Sequence, residues 1–298
     1  MEISFPPEKR IRVIVNTDAK NEADDQFAIV HAILTPAFEL HGIIPAHFGT
    51  EKSDTSMEDS YEETMLLLRL MEMEGQVRVE KGATAEIPDA TTPMPSPGAE
   101  LIIDEAMKDD PRPLHIAFYG PITDMASALL MEPRIEEKNI RVIWIGGRQW
   151  PEGGTEYNLS NDIEAANVVF RSKLEVWQIP RPVYRRMPVS YAELLERVYP
   201  HGEIGKYLVE QTVEHNEARV EYAMELRSLG DSPCVGVMMH PDCGDWDMRP
   251  APEFNDEMFY VHTLRNRPIR VYRNIDNRFI LEDLFAKLAR FARNGKPL

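Results

Sequence analysis

The feature that most constrains this 298-residue chain is its repeated alternation of short apolar runs with helical periodicities. Residues 11–15 are a β-branched run closing in polar Asn16, Thr17 and Asp18, the pattern of a buried strand. Phe27, Ala28, Val30, Ile33 and Leu34 then follow at helical spacing and stop before Pro36, which predicts a helix over 26–34. The same logic predicts strands over 40–46, 114–118 and 140–145, and helices over 60–74, 99–108, 122–131 and 163–170. Such alternation implies right-handed βαβ crossovers and an α/β fold with an open, mostly parallel, Rossmann-like sheet covered by helices on both faces.

Outside that core, residues 82–98 carry four prolines and read as a surface or site-lining loop. The stretch 191–229 reads as helical and strongly charged, 242–255 as a polar loop, 270–272 as a late strand and 281–292 as an amphipathic closing helix. No internal repeat or low-complexity linker interrupts the pattern, so residues 1–298 are expected to form one domain.

Charge and cysteine content narrow the partners. Lys plus Arg number 33 against 50 Asp plus Glu, a net charge of −17 that repels a polyphosphate backbone, so no nucleic acid partner is expected. The lead-in through Arg12 lacks the apolar stretch of a secretory signal, and no run approaches the length of a membrane span, so no membrane partner is expected. Cys234 and Cys243 have no second pair to complete a thiolate metal site, and a reduced, cytoplasmic setting is the simpler expectation.

In open α/β sheets ligands bind beyond the carboxyl ends of the strands, so the chemistry is sought there. The first strand delivers Asp18, Asp24 and Asp25 to that edge. Carboxylates so close together repel in a partly dry cleft, and a hard divalent cation relieves them. Alternatively, Asp24 and Asp25 serve as helix-start residues, stabilised by caps and the macrodipole.

Four segments in order tip the balance. Asn16-Thr17-Asp18 with Asp24-Asp25, Gly120-Pro121-Ile122-Thr123-Asp124, Glu156-Tyr157-Asn158 followed by Glu164-Ala165-Ala166, and Asp231-Ser232-Pro233-Cys234-Val235 together resemble the inosine–uridine-preferring nucleoside hydrolase family. The resemblance implies the nucleoside hydrolase fold and a Ca²⁺ ion held by Asp18, Asp25, Asp231 and the backbone carbonyl of Tyr119. It further implies Asp24, Glu156 and Asn158 on the ribose hydroxyls and Asp18 as the base that activates water. The expected activity is hydrolysis of the N-glycosidic bond of a ribonucleoside or related N-riboside, with a small-molecule nucleoside or riboside as partner and a homo-oligomer, dimer or tetramer, as assembly.

The chain also departs from that pattern. Two extra residues separate Asp18 from Asp24, His47-Phe48-Gly49 replaces a Gly-Asn, and Gly230 stands where family members often carry a His that protonates the leaving group. That last change motivates an alternative, a non-catalytic ribose- or nucleoside-binding protein that retains the metal site. His47 reads either as a substrate contact or as a histidine satisfied by backbone, and Trp150 either stacks on a base or packs in the core. His240 reads as a helix-end residue. Asp242, Asp245 and Asp247 form either a second metal loop or a solvated acidic turn, while His215, Arg219 and Tyr222 read as part of a charged helix face.

Overall fold

The computed structural model describes residues 5–219 and 225–295. The first half runs β1 (Ile11–Thr17), α1 (Asp25–Ile33), β2 (Phe38–Pro45), α2 (Ser56–Leu70), α3 (Pro97–Met107), β3 (Leu114–Phe118), α4 (Thr123–Met131) and β4 (Ile140–Ile145). It continues with α5 (Tyr157–Ser160), α6 (Ile163–Arg171), β5 (Glu175–Ile179), α7 (Arg181–Tyr184), β6 (Pro188–Ser190), α8 (Tyr191–Arg197) and α9 (Gly202–Glu217). The last part holds β7 (Leu226–Ser228), α10 (Ser232–Met239), β8 (Trp246–Pro250), β9 (Glu253–Phe254), β10 (Tyr260–Val261), β11 (Pro268–Tyr272) and α11 (Asn277–Asn294).

Seven strands form the central sheet in the order β2-β1-β3-β4-β5-β11-β8. Neighbours are parallel throughout except for the antiparallel edge pair of β11 and β8. Side chains alternate along β1 as a two-sided strand requires: Val13 and Val15 join the core beneath α1, α10 and α11, while Ile14 joins the opposite core beneath α3, α4 and α6. From β1 the chain crosses to β2 on one side and later reaches β3 on the other. The carboxyl ends of β1 and β3 therefore flank a topological switch point, the crevice where such sheets bind ligands.

Several elements differ from the sequence-based expectation. β5 was not anticipated, although Glu175-Val176-Trp177-Gln178-Ile179 is a short apolar, aromatic run before Pro180. α2 begins four residues earlier than expected and ends before Gly75, because Glu72 adopts φ 55° and Met73 N–H closes onto Leu68 O at 2.8 Å. The loop expected over 242–255 contains β8, which pairs with β11 as an amphipathic edge strand. There Asp247 pairs with Arg249 and Arg273, and Asp242 accepts from the Trp246 indole. The acidic turn is thus a salt-bridged surface. His240 caps the end of α10, as anticipated, with its N–H on Gly236 O. No helix among the described residues is long and apolar enough to cross a membrane.

Between α1 and α11 lies a buried polar pair, His31 Nε2–H donating to Asp283 at 2.7 Å. Burial pushes the His31 pKa down to about 4, against the pull of Asp283. The unfolded chain takes up the proton near pH 6.5 and the fold does not, so stability is full above pH 6.5 and falls as the pH drops towards 4. Urea unfolding across that window is expected to show His31→Gln losing a pH-dependent share of roughly 3 kcal/mol. An unchanged pH slope in the variant would contradict this assignment.

Candidate active site

Beyond the carboxyl ends of β1, β3, β4 and β5 lies an open cleft of about 1140 Å³. Its floor is built from chain-distant carboxylates. Asp18 follows β1, Asp24 and Asp25 open α1, and Asp231 opens α10, so the positive ends of two helix dipoles meet at one point. Neither Asp24 nor Asp231 uses its side chain to cap its helix. Asp24 and Asp25 thus do stand at a helix start, where the dipole favours them, but no side-chain cap occupies Asp24.

Oxygen atoms of Asp24, Asp25 and Asp231 lie within 4.8 Å of one another, the one such acidic group among the described residues. Asp25 accepts from Thr17 Oγ1 at 2.6 Å. Asp24 is held by Arg227 Nη2 at 3.0 Å and by Gly230 N–H at 2.8 Å. Asp18 lines the same cleft but stands outside the tight trio, and Asn21 folds back onto it, Asn21 N–H to Asp18 O at 2.8 Å and Asn21 Nδ2 to Asp18 Oδ2 at 3.0 Å. Gly120 is needed beside it: a Cβ there would sit 2.6 Å from the Asp18 carboxyl carbon.

The electrostatics follow from this crowding. Burial, then the charge of Asp25, raises Asp18 well above the usual carboxylate range. Burial, then Asp25 and Asp24, does the same for Asp231, and burial with Asp24 pushes Asp25 up to about 7. Asp24 is raised by burial despite Arg227. Glu22 behaves oppositely: burial raises it, but Arg227, Lys52 and His215 together leave it lowered. A hard cation fits this donor set, since all ligands are oxygen and their mutual repulsion is what such an ion relieves.

The remaining expected site residues divide. Glu156 is buried, accepts from Tyr184 Oη at 2.7 Å, and caps α5 through Leu159 N–H at 3.0 Å while also binding Gly147 N–H. Asn158 lines the cleft and donates Nδ2 to the carbonyls of Tyr119 and Ile145 at 2.6 and 2.8 Å, leaving its own oxygen as the end open to a ligand. Tyr119 lines the cleft and its carbonyl accepts from Asn158; its side chain is buried and its hydroxyl has no hydrogen-bond partner. His47 also lines the cleft, but both ring nitrogens are engaged, Nδ1 by Gly49 N–H and Nε2 by Thr123 Oγ1, which in turn donates to Asp162. Burial pushes its pKa down to about 4, and its ring is held by one backbone N–H and one hydroxyl.

Trp150 is not among the cleft-lining residues. Its ring packs on Tyr260 and His262 and its indole N–H donates to Gln178 at 2.9 Å, so packing is the role the structure gives it. His215, near the end of α9, meets Arg219 just beyond it, and neither lines the cleft, while Tyr222 lies outside the described residues. The proline-rich loop does reach the site: Thr84, Ala85 and Glu86 line the cleft, and buried Asp124 anchors the loop through Ala83 N–H and Ser96 Oγ.

Sequence reasoning missed Arg227, Glu22 and Tyr184. The charged run 191–229 hid Arg227, whose only signal was its position four residues before Asp231. Tyr184 explains the Gly230 departure. A Cβ at position 230 would lie 3.1 Å from both Asp24 Oδ2 and Tyr184 Cδ2, so the tyrosine ring and the Asp24 carboxylate press on the space where a histidine stem would start.

The inosine-uridine preferring nucleoside hydrolase family model matches residues 13–277. The chain belongs to that family. Uridine nucleosidase 1 of Arabidopsis thaliana is 26% identical over 213 residues, 63% of this chain and 61% of that protein. A non-specific ribonucleoside hydrolase of Salmonella enteritidis is 26% identical over 259 residues, 80% of this chain and 79% of the other. This chain thus spans about three fifths of the Arabidopsis relative. Among solved structures, a plant nucleoside hydrolase superposes with a TM-score of 0.77 at 17% identity over 95% of this chain and 99% of the other. A purine-preferring ribonucleoside hydrolase from Gardnerella vaginalis gives 0.74 at 21% identity, with the same two coverages. These likenesses show the nucleoside hydrolase fold, the mostly parallel sheet with flanking helices expected from the sequence.

The crowded carboxylates also make a stability prediction. Asp231→Asn relieves repulsion in chelator-treated protein and is expected to raise its melting temperature, while abolishing any further rise on adding calcium. Calorimetric melts with and without chelator check both effects; a variant less stable than wild type in chelator would contradict the repulsion argument.

Proposed function

We propose that the protein is a calcium-dependent hydrolase acting on the N-glycosidic bond of a ribonucleoside or related N-riboside. The observation that carries this reading is the convergence of Asp24, Asp25 and Asp231, with Asp18 in the same cleft, at the switch point of a family-matching sheet. Asp18, Asp25, Asp231 and the Tyr119 carbonyl would hold the ion, with Asp24 turned to Arg227 instead. When bound, such a cation acts as a Lewis acid that lowers the pKa of water and orients a sugar diol.

Asp18 supplies the base. Its Oδ2 is tied to Asn21, so Oδ1 is the oxygen left to take a proton from the attacking water. Asp24, Glu156 and the Asn158 oxygen orient the ribose, with Glu156 exchanging its Tyr184 contact for a sugar hydroxyl. As the bond from the anomeric carbon to the base nitrogen breaks and the bond to water oxygen forms, positive charge grows on the sugar. The anionic floor of the cleft stabilises it. The base departs with the bonding electron pair. Gly230 offers it no proton, so leaving groups that are stable as anions are favoured.

Gly230 also favours a second reading, a riboside-binding protein that does not turn over. Calorimetry with a nucleoside panel beside a reducing-sugar assay separates them, since binding without sugar release supports the second. The buried free thiols of Cys234 and Cys243 support a reducing, cytoplasmic setting, and family resemblance supports a homo-oligomer.

With a nitrophenyl riboside, whose leaving group needs no protonation, calcium-loaded protein is expected to release nitrophenol, and Asp18→Asn to lower kcat by about 10²–10⁴-fold without altering the circular dichroism spectrum. Activity retained in Asp18→Asn would remove Asp18 from the mechanism.

A further inference from the structure

We propose that the wall of this cleft opposite the carboxylates is an anion subsite, so that the preferred substrate is a riboside carrying a phosphate or carboxylate. The inference rests on the riboside reading of the site and names the substrate class it serves. Arg148, Arg181 and Arg185 all line the cleft. Their backbones are tied together: Arg181 N–H donates to Gly147 O at 2.9 Å, joining the loops after β4 and β5, and Arg185 N–H donates to Arg181 O one turn along.

Whether neighbouring carboxylates already neutralise these cations decides what they are free to bind. Here, among the described residues, none of the three forms an ion pair with a carboxylate. Arg148 spends its donors on Thr155 O and Gln149 Oε1, both neutral. Arg227, deeper in the same cleft, is by contrast paired with Asp24 and Glu22. Structural neutralisation therefore accounts for Arg227 and not for the wall.

The sheet order sets the three arginines apart from the Asp18, Asp25 and Asp231 floor, with Glu156 between them. Glu51 follows β2, at one edge, whereas Arg148 and Arg181 follow β4 and β5. With neighbouring strands about 4.8 Å apart, the end of β5 stands roughly 14 Å from the end of β1, where the carboxylates gather. That is the span of a pentose with a substituent. Tyr184 fixes the junction: it lies on α7 with Arg181 and its hydroxyl reaches Glu156 at 2.7 Å, so the arginine wall adjoins the sugar-orienting carboxylate. Guanidinium forks match phosphate and carboxylate oxygens in pairs, and a neutral nucleoside would leave them without a counterpart.

The test uses calcium-loaded full-length protein and the double variant Arg181→Gln/Arg185→Gln. Calorimetry compares ribose with ribose 5-phosphate; kinetics compare inosine with inosine 5′-monophosphate and with a riboside of a carboxylated base. The expected result is at least about tenfold tighter binding or higher kcat/KM for one anionic member over its neutral counterpart. That preference should shrink with added salt and collapse in the double variant. Preference for both phosphates assigns the anion to the sugar, and preference for the carboxylated base assigns it to the leaving group. Hydrolysis of inosine with no anionic preference, or a preference that survives in the double variant, would overturn the subsite and leave the hydrolase reading intact. If no ribose compound is bound or hydrolysed, the riboside reading fails and the subsite with it.

Discussion

Like-charge repulsion in a dry crevice is the constraint to which the rest of this site answers. Two unit charges 4.8 Å apart repel by about 3 kcal/mol even at an effective dielectric of about 20, and Asp24, Asp25 and Asp231 all lie within that distance. The fold tolerates this because the starts of α1 and α10 point there, because Thr17 and Gly230 donate to two of the carboxylates, and because Arg227 balances Asp24. These contacts do not offset burial and crowding: burial first, and the neighbouring carboxylates after it, push Asp25 up to about 7 and Asp18 and Asp231 well above their usual range. Positive charge delivered to such a cluster would favour its ionised form, which is what the proposed ion and the developing charge on the sugar would supply.

Sheet topology explains how residues more than 200 positions apart share the crevice. β1 is the strand from which the chain leaves in both directions, so at its end the loops separate without a crossover blocking access. α10 packs on α1 from the same face, which brings Asp231 to Asp25. Gly120, at the end of β3, permits the approach by having no Cβ to strike Asp18. The floor of the site is thus a consequence of strand order, and the loops after β4 and β5 supply its contrasting wall.

Much of this was legible in the sequence because strand ends are local signals. The apolar run before Asp18 announces itself within a few residues, whereas the Gly120-Pro121 turn and the Asp231 segment were legible through their resemblance to the family. What stayed hidden depends on distant partners. Arg227 is a charged residue in a charged stretch until Asp24 is placed beside it, and Tyr184 is an ordinary aromatic until it is seen against Gly230 and Glu156. His47 and Trp150 show the reverse case, residue types with chemical potential whose neighbours use them for structure: Thr123 and Gly49 occupy the imidazole, and Tyr260 and Gln178 hold the indole. β5 was missed for a different reason. It is five residues long with a glutamate and a glutamine in it, and its membership of the sheet is decided by pairing with β4 and β11.

The central claim is that these carboxylates form one cation site, and anomalous diffraction from a crystal grown with calcium addresses it most directly. The account predicts a single strong peak per chain coordinated by Asp18, Asp25, Asp231 and the Tyr119 carbonyl. A well-ordered cleft with no peak at saturating calcium, or a peak bound only elsewhere on the surface, would contradict it.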